Sequence, residues 1–111
     1  MEWINLSEET SIETIKKLSS EHPVLIFKHS TRCSISSAAL SRLERNWDME
    51  KMSHVKAYYL DLLSYRNISN QIAESFNVHH ESPQVLLIKD GECIYHASHM
   101  GITFAELAKK C

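Results

Sequence analysis

Short apolar runs alternate with amphipathic segments along this chain, and that alternation restricts the fold more than any other feature. Residues 24–27 are apolar on both faces, which is typical of a central strand that is covered on both sides. From Ile35 to Trp47 apolar residues recur every four positions, which is the spacing of one helix face. Residues 54–60 predict another strand, and two strands joined by a helix must run parallel. The alternation therefore predicts an α/β protein.

Further helices and a hairpin complete the predicted order. Residues 10–13 and 103–106 have the capping-box pattern that begins a helix, and the apolar positions within 68–76 share one helix face. After the apolar run 85–88, the Asp-Gly pair at 90–91 predicts a two-residue turn and an antiparallel return strand. The predicted order α-β-α-β-α-β-β-α gives a mixed four-stranded sheet with helices on both faces.

The length and composition fit one domain over residues 1–111, because 43% of the 111 residues are apolar. The net charge is −2 and no run of like charges occurs, so nucleic acid is not expected as a partner. The first five residues lack the basic and apolar segments of a secretory signal, and no apolar stretch approaches the roughly 18 residues of a membrane span. We therefore expect a cytoplasmic protein with no membrane partner.

Cys33 is the candidate nucleophile. The helix pattern puts it in the first turn of the second predicted helix, where unpaired backbone N–H groups and the positive end of the helix dipole favour a thiolate. Arg32 adds a positive charge beside it. Ser34 and Ser36 can donate hydrogen bonds to the sulfur, although hydroxyls at a helix start also cap the backbone. The alternative is a small buried residue with an inert thiol, but the neighbouring Ser, Thr and Arg residues are unlike a core.

Two segments carry a resemblance to a known family. A strand that ends just before Cys-Ser-Ile-Ser at residues 33–36, followed by Ser82-Pro83 before a buried strand and a hairpin, resembles the thioredoxin fold from Val24 to Leu107. Residues 31–36 resemble the monothiol bacilliredoxins of the bacillithiol system more closely still. That family implies removal of bacillithiol from S-bacillithiolated proteins, with bacillithiol as co-substrate and no bound cofactor or metal. The residues assigned in this way are Cys33, Ser36 and Arg32 for catalysis, and Thr31, Ser34, Ser82 and Pro83 for substrate binding.

Position 36 determines the kind of redox chemistry that the resemblance implies. Dithiol members of the thioredoxin fold carry a second cysteine three residues after the first, whereas Ser36 cannot form a disulfide. Phe27 stands where thioredoxins have a buried carboxylate that serves the resolving thiol. Both departures predict monothiol chemistry, with a mixed disulfide on Cys33 as the intermediate.

Pro83 is predicted to begin the third strand. Proline lacks an N–H, and X–Pro bonds are the ones for which the cis form costs little. The resemblance implies a cis proline that faces the nucleophile, so that the backbone of Ser82 can bind an extended substrate. The alternative is a trans proline at the start of an edge strand.

The other thiols and the histidines have simpler interpretations. Cys93 lies in the predicted return strand and is expected to be packed and unreactive. Cys111 is expected to be exposed, although a tail thiol could resolve the disulfide if it reached the nucleophile. The histidine pairs lack neighbours that would complete a metal site. For the malate carboxylates of bacillithiol, Arg32 is the first candidate donor, followed by Lys28 and His29.

A second class of function stays open at this point. A thioredoxin-fold binding module with a noncatalytic cysteine could hold a partner or, as in some monothiol glutaredoxins, an iron–sulfur cluster. A cluster carrier is expected to be coloured and dimeric, whereas an oxidoreductase is expected to form a bacillithiol adduct. The sequence has no recognisable glutathione-type site, which favours the oxidoreductase.

Overall fold

The computed structural model describes residues 3–7 and 12–111, and a five-stranded sheet lies at its centre. The strands are β1 (Ile4–Asn5), β2 (Val24–His29), β3 (Lys56–Asp61), β4 (Gln84–Lys89) and β5 (Glu92–Ser98). The α-helices are α1 (Ile12–Leu18), α2 (Ser34–Asn46), α3 (Arg66–Phe76) and α4 (Phe104–Lys110), and a single 3₁₀ turn covers His99–Gly101. The capping box predicted at residues 10–13 lies partly outside the described residues.

The sheet order is β1-β3-β2-β4-β5, with β2 parallel to β3 and antiparallel to β4. This confirms the predicted thioredoxin-like α/β fold and its mixed sheet. The predicted number of four strands is wrong, because β1 pairs with β3 in parallel through Ile4 and Tyr58. Two residues are too few to show any period in the sequence, and both are exposed. The strand is defined by its pairing with the edge of β3 that faces away from β2.

Two apolar clusters cover the two faces of the sheet, as predicted for a central strand that is buried on both sides. Every residue of β2 is buried, and its side chains alternate between the clusters. Val24 and Ile26 pack on the face covered by α1 and α3. Leu25 and Phe27 pack on the face covered by α2 and α4. The last two residues of the same strand, which are polar, are therefore also directed to opposite faces.

Local signals in the sequence have their predicted effect at the hairpin and at the last helix. Asp90 and Gly91 have φ values of 52° and 78°, as a two-residue turn with both φ angles positive requires. The Thr103 hydroxyl accepts a hydrogen bond from the Glu106 N–H at 3.3 Å and caps α4. Among the described residues, no helix is long and apolar enough to cross a membrane.

Candidate active site

Cys33 is the N-cap residue of α2, so the helix begins one residue later than predicted. Its N–H donates to the Ser30 carbonyl at 3.1 Å, and its own carbonyl accepts from the Ser37 N–H at 3.0 Å. The thiol is half-buried and free, and its side chain makes no capping hydrogen bond. The sulfur therefore lies at the positive end of the helix, where backbone N–H groups of the first turn lack helical partners.

The residues that surround Cys33 in the chain form an open surface. Thr31, Arg32 and Ser34 are all exposed, which is compatible with the substrate contacts predicted for them. Ile35 was predicted to lie on the buried stripe of α2, but it is 55% exposed. The buried face of α2 instead contains Ser36, Ala39 and Leu43, and Ile35 is not part of either apolar cluster. One large apolar side chain is thus exposed two residues from the thiol.

The Ser82–Pro83 peptide bond is cis, as predicted. β4 begins at the next residue, Gln84, which pairs with Lys28 of the antiparallel strand β2. Continuing that register by one position places Pro83 beside His29, at the end of β2 from which the chain reaches Cys33. The topology therefore brings the proline segment and the thiol to the same end of the sheet.

Of two polar atoms in the Ser82–Pro83 segment, one has a hydrogen-bond partner and the other has none. The Pro83 carbonyl accepts a hydrogen bond from the His99 N–H at 3.1 Å, within the 3₁₀ turn that follows β5. The Ser82 hydroxyl oxygen is buried and has no hydrogen-bond partner among the described residues. A buried hydroxyl without a partner is uncommon in folded proteins, because it has lost its water without replacing it.

Ser36 has hydrogen-bond partners other than the one expected for it. Its side chain is fully buried, and its hydroxyl oxygen lies 2.7 Å from Nδ1 of His29. The same oxygen accepts a hydrogen bond from the Ser30 N–H at 3.1 Å. From the sequence, the Ser36 hydroxyl is expected to donate to Cys33 or to cap the helix. In the structure it connects the start of α2 to the end of β2.

His29 is 5% exposed, and that burial does not fit the surface contact with ligand carboxylates considered for it. Its ring packs between aromatic rings, with centroid distances of 6.1 Å to Phe27 and 5.5 Å to Tyr59. Burial lowers the pKa of His29, while the charges of Asp61 and Glu44 act in the opposite direction. The neutral ring is therefore favoured at neutral pH. No local pattern identifies this contact, since His29 and Ser36 meet across a strand-to-helix connection.

Lys28 is directed to the opposite face of the sheet and is fully buried. Its ammonium group donates to the Ser69 carbonyl of α3 at 3.2 Å and lies 3.3 Å from Nδ1 of His80. Burial lowers the pKa of Lys28 to about 8. Lys28 is therefore not a surface donor for a ligand carboxylate either, which leaves Arg32 as the exposed cation beside Cys33.

The two other thiols lie at the far end of the sheet. Cys93 pairs with Ile88, and Cys111 is close enough to Lys89 for that charge to act on it, so both are near the end of β4 that is remote from Pro83. Burial is the main cause that raises the pKa of each thiol. The expectation of a packed Cys93 is confirmed. The expectation of an exposed Cys111 is wrong, because α4 packs it half-buried against the second apolar cluster.

No metal centre is evident at the site. Within residues 3–7 and 12–111, no group of three or more His, Cys, Asp or Glu side chains is placed to hold a metal ion.

Comparisons with known proteins give a consistent assignment. The family model described as monothiol bacilliredoxin BrxC matches residues 4–107. A solved structure described provisionally as an oxidoreductase with a thioredoxin fold is 31% identical, with a TM-score of 0.77 over 96% of this chain and 90% of that chain. Thioredoxin f2 of Chlamydomonas reinhardtii is 12% identical with a TM-score of 0.71, covering 98% of this chain and 93% of its own. The thioredoxin of Malassezia sympodialis is 20% identical with a TM-score of 0.67, covering 96% and 84%. These last two similarities concern the fold.

Proposed function

This chain belongs to the monothiol bacilliredoxin family, and we propose that it removes bacillithiol from S-bacillithiolated proteins through a mixed disulfide on Cys33. The family and the oxidoreductase-like neighbour support a thiol oxidoreductase as the general activity. The proposal adds the nucleophile, the low-molecular-weight thiol and the order of the steps.

The first step is attack of the Cys33 thiolate on the bacillithiol sulfur of the substrate disulfide. A bond forms between these two sulfurs, the disulfide to the protein breaks, and the protein thiolate leaves and takes up a proton from solvent. No net oxidation occurs, because one disulfide replaces another. In the second step an external thiol attacks the mixed disulfide, so that bacillithiol leaves as a new disulfide with that thiol and Cys33 is regenerated.

The observation that carries the proposal is the isolation of Cys33 from the other thiols. All three cysteines lie in the described part of the chain, and the other two are at the far end of the sheet. Position 36 bears a hydroxyl group, which cannot close a disulfide with Cys33. A mixed disulfide on Cys33 must therefore wait for a thiol from outside the molecule, as monothiol exchange requires.

The exposed residues near Cys33 are proposed to bind the substrate. Arg32 supplies a planar cation that can pair with the malate carboxylates of bacillithiol. Thr31 and Ser34 offer exposed hydroxyl groups on either side of it. The backbone of Ser82, before Pro83, is proposed to bind the extended segment next to the reacting disulfide. Bacillithiol is then a co-substrate, and the proposed location is the cytoplasm, where free thiols persist.

Intact mass spectrometry tests this proposal directly. The reduced protein is mixed with an S-bacillithiolated substrate protein, and the masses of both proteins are followed over time. We expect the substrate to lose bacillithiol while this protein gains it. Cys33→Ser should abolish the transfer, whereas Cys93→Ser and Cys111→Ser should retain it.

The same assay separates the alternative functions. Equal transfer from a glutathionylated substrate would remove the preference for bacillithiol. Transfer that persists in Cys33→Ser, or no transfer by the parent, would overturn the proposed function. A coloured, dimeric protein that binds iron and sulfide but accepts no bacillithiol would favour the cluster carrier.

A further inference from the structure

The buried contact between His29 and Ser36 points to a role that goes beyond the proposed function and rests on it, since it concerns the reactivity of Cys33. We propose that His29 is a positioning residue, and that a proton on its Nδ1 turns the Ser36 hydroxyl hydrogen away from the ring and toward the Cys33 sulfur. The strand that leads to the nucleophile would then also control its environment.

The Ser36 hydroxyl group has a single hydrogen to share between possible acceptors. A hydroxyl group has one hydrogen to donate and two lone pairs that accept. The Ser30 N–H, at 3.1 Å, can only donate, so it uses one lone pair of the Ser36 oxygen. At 2.7 Å, the contact with His29 Nδ1 is a hydrogen bond in either direction. The location of one ring proton therefore decides where the hydroxyl hydrogen goes.

The two arrangements differ at Cys33. When Nδ1 of His29 carries no proton, it accepts the Ser36 hydrogen, and Cys33 receives nothing from that hydroxyl. When Nδ1 is protonated, it donates to Ser36, and the hydroxyl hydrogen is free for another acceptor. In the imidazolium Nδ1 always carries a proton, so acidification increases the second arrangement.

Cys33 is the proposed acceptor, and its side chain makes no capping hydrogen bond in the structure. It is the N-cap residue of α2, and Ser36 follows it three residues later, at N3. This is the spacing at which dithiol members of the thioredoxin fold carry the two cysteines that close one disulfide, so side chains at the two positions can meet. A hydrogen bond from a hydroxyl group stabilises a thiolate more than a thiol, because the acceptor is charged. Protonation of His29 is therefore expected to favour the thiolate of Cys33.

Charged groups on two neighbouring elements act on His29. Asp61 on β3 is the residue paired with His29 of β2, and Glu44 acts on His29 from α2. The negative charges of both carboxylates favour the imidazolium. Tyr59 of β3 lies against the ring, and burial is the main cause that raises its pKa, which keeps the phenol neutral. Burial lowers the pKa of His29 and outweighs the two carboxylates, which raise it. The switch of the Ser36 hydrogen from His29 to Cys33 is therefore expected on the acid side of neutrality.

The pH dependence of Cys33 alkylation tests this coupling. In the background Cys93→Ser/Cys111→Ser, the rate with iodoacetamide reports Cys33 alone. For an isolated thiol the rate falls about tenfold for each pH unit below its titration midpoint. If His29 protonation favours the thiolate, the plot of log rate against pH should become shallower over the pH range in which His29 takes up its proton. Below that range, alkylation should be about threefold to tenfold faster than an extrapolation from higher pH predicts.

Three variants assign the effect. His29→Gln keeps a polar partner for Ser36 but cannot titrate, and Ser36→Ala removes the connection while leaving the ring. Both are expected to lose the shallow segment. His54→Gln replaces an exposed histidine that precedes β3 and should match the parent. A shallow segment that persists in Ser36→Ala, or one that is lost in His54→Gln, would overturn the role assigned to the pair.

Nitrogen NMR of the unaltered protein gives a test that needs no variant. At neutral pH the His29 ring is expected to carry its proton on Nε2, with Nδ1 as acceptor. A proton on Nδ1 at neutral pH would overturn the proposal, because the Ser36 hydrogen would already be free. Failure here is distinct from failure of the proposed function. Bacillithiol transfer to Cys33 with no shallow segment refutes only the coupling, whereas a shallow segment without transfer refutes only the transfer.

Discussion

Lys28 gives the sharpest prediction about stability, because the fold completely buries this lysine within the central strand β2. We consider Lys28→Met, which keeps a long unbranched side chain and removes the charge. The parent holds the ammonium group with the Ser69 carbonyl at 3.2 Å and His80 Nδ1 at 3.3 Å. These contacts do not replace the lost hydration fully, since burial lowers the pKa of Lys28 from 10.5 to about 8.

The expected change in the free energy of unfolding follows from the lowered pKa of Lys28. Each pH unit corresponds to about 1.4 kcal/mol, so charged Lys28 destabilises the fold by up to about 3 kcal/mol. Removing the donor leaves an acceptor on Ser69 and on His80 less well satisfied, which costs about 1 to 2 kcal/mol. Lys28→Met is therefore expected to unfold with a free energy about 1 to 2 kcal/mol higher than the parent at neutral pH.

The pH dependence is more specific than the difference at one pH. Between pH 8 and 10.5 the unfolded state keeps the Lys28 proton while the folded state has lost it. The unfolded state binds more protons there, so the stability of the parent rises with pH relative to the variant. The advantage of Lys28→Met should shrink across this range by up to about 3 kcal/mol and reverse near its upper end.

Urea unfolding, followed by circular dichroism in the presence of a reductant, measures this difference at intervals from about pH 7 to about pH 11. Other tyrosines, lysines and cysteines also titrate in this range, but their contributions cancel between the parent and the variant. Lys51→Met is the matched control, because Lys51 is exposed in the connection before β3. It should follow the parent at every pH. A difference between the parent and Lys28→Met that stays constant across the range would refute the reasoning.

Three other outcomes are expected. Ser36→Cys should close a disulfide with Cys33, so that mass spectrometry finds less trapped mixed disulfide than in the parent; equal trapping would contradict the geometry assigned to the helix start. Arg32→Ala should reduce the preference for bacillithiol over β-mercaptoethanol as the thiol that resolves the Cys33 adduct, measured as the ratio of the two rates. If both thiols are slowed equally and the slowing disappears at high salt, Arg32 acts only through its charge and does not bind the carboxylates. Leu43→Ala, at a buried position of α2, should lower the free energy of unfolding by about 2 to 5 kcal/mol in urea titrations, while the exposed-site control Ile35→Ala should change it by less than about 1 kcal/mol.

The sequence by itself determined the order of the elements from α1 onward and identified the candidate nucleophile. Strands and helices were predictable because alternation of apolar residues, capping residues and the turn at Asp90 and Gly91 act over a few neighbouring positions. Cys33 was identifiable for the same reason, since a thiol near a helix start and a serine three residues later form a local pattern. The roles assigned to Cys33, Arg32 and Ser82 stay predictions, but their candidacy needed no tertiary information.

The tertiary structure alone decided which polar groups are buried and what they contact. Ser36 and His29 are seven residues apart, and Lys28 and His80 are 52 apart, so no short-range pattern joins either pair. The position of Cys111 was also predicted wrongly, because the packing of α4 buries it, and nothing in the last residues indicates that packing. Side chains at the end of a strand alternate between its faces, but only the elements that cover those faces determine which ones lose water. That loss of water is the main cause that lowers the pKa values of Lys28 and His29, and it depends on the whole fold.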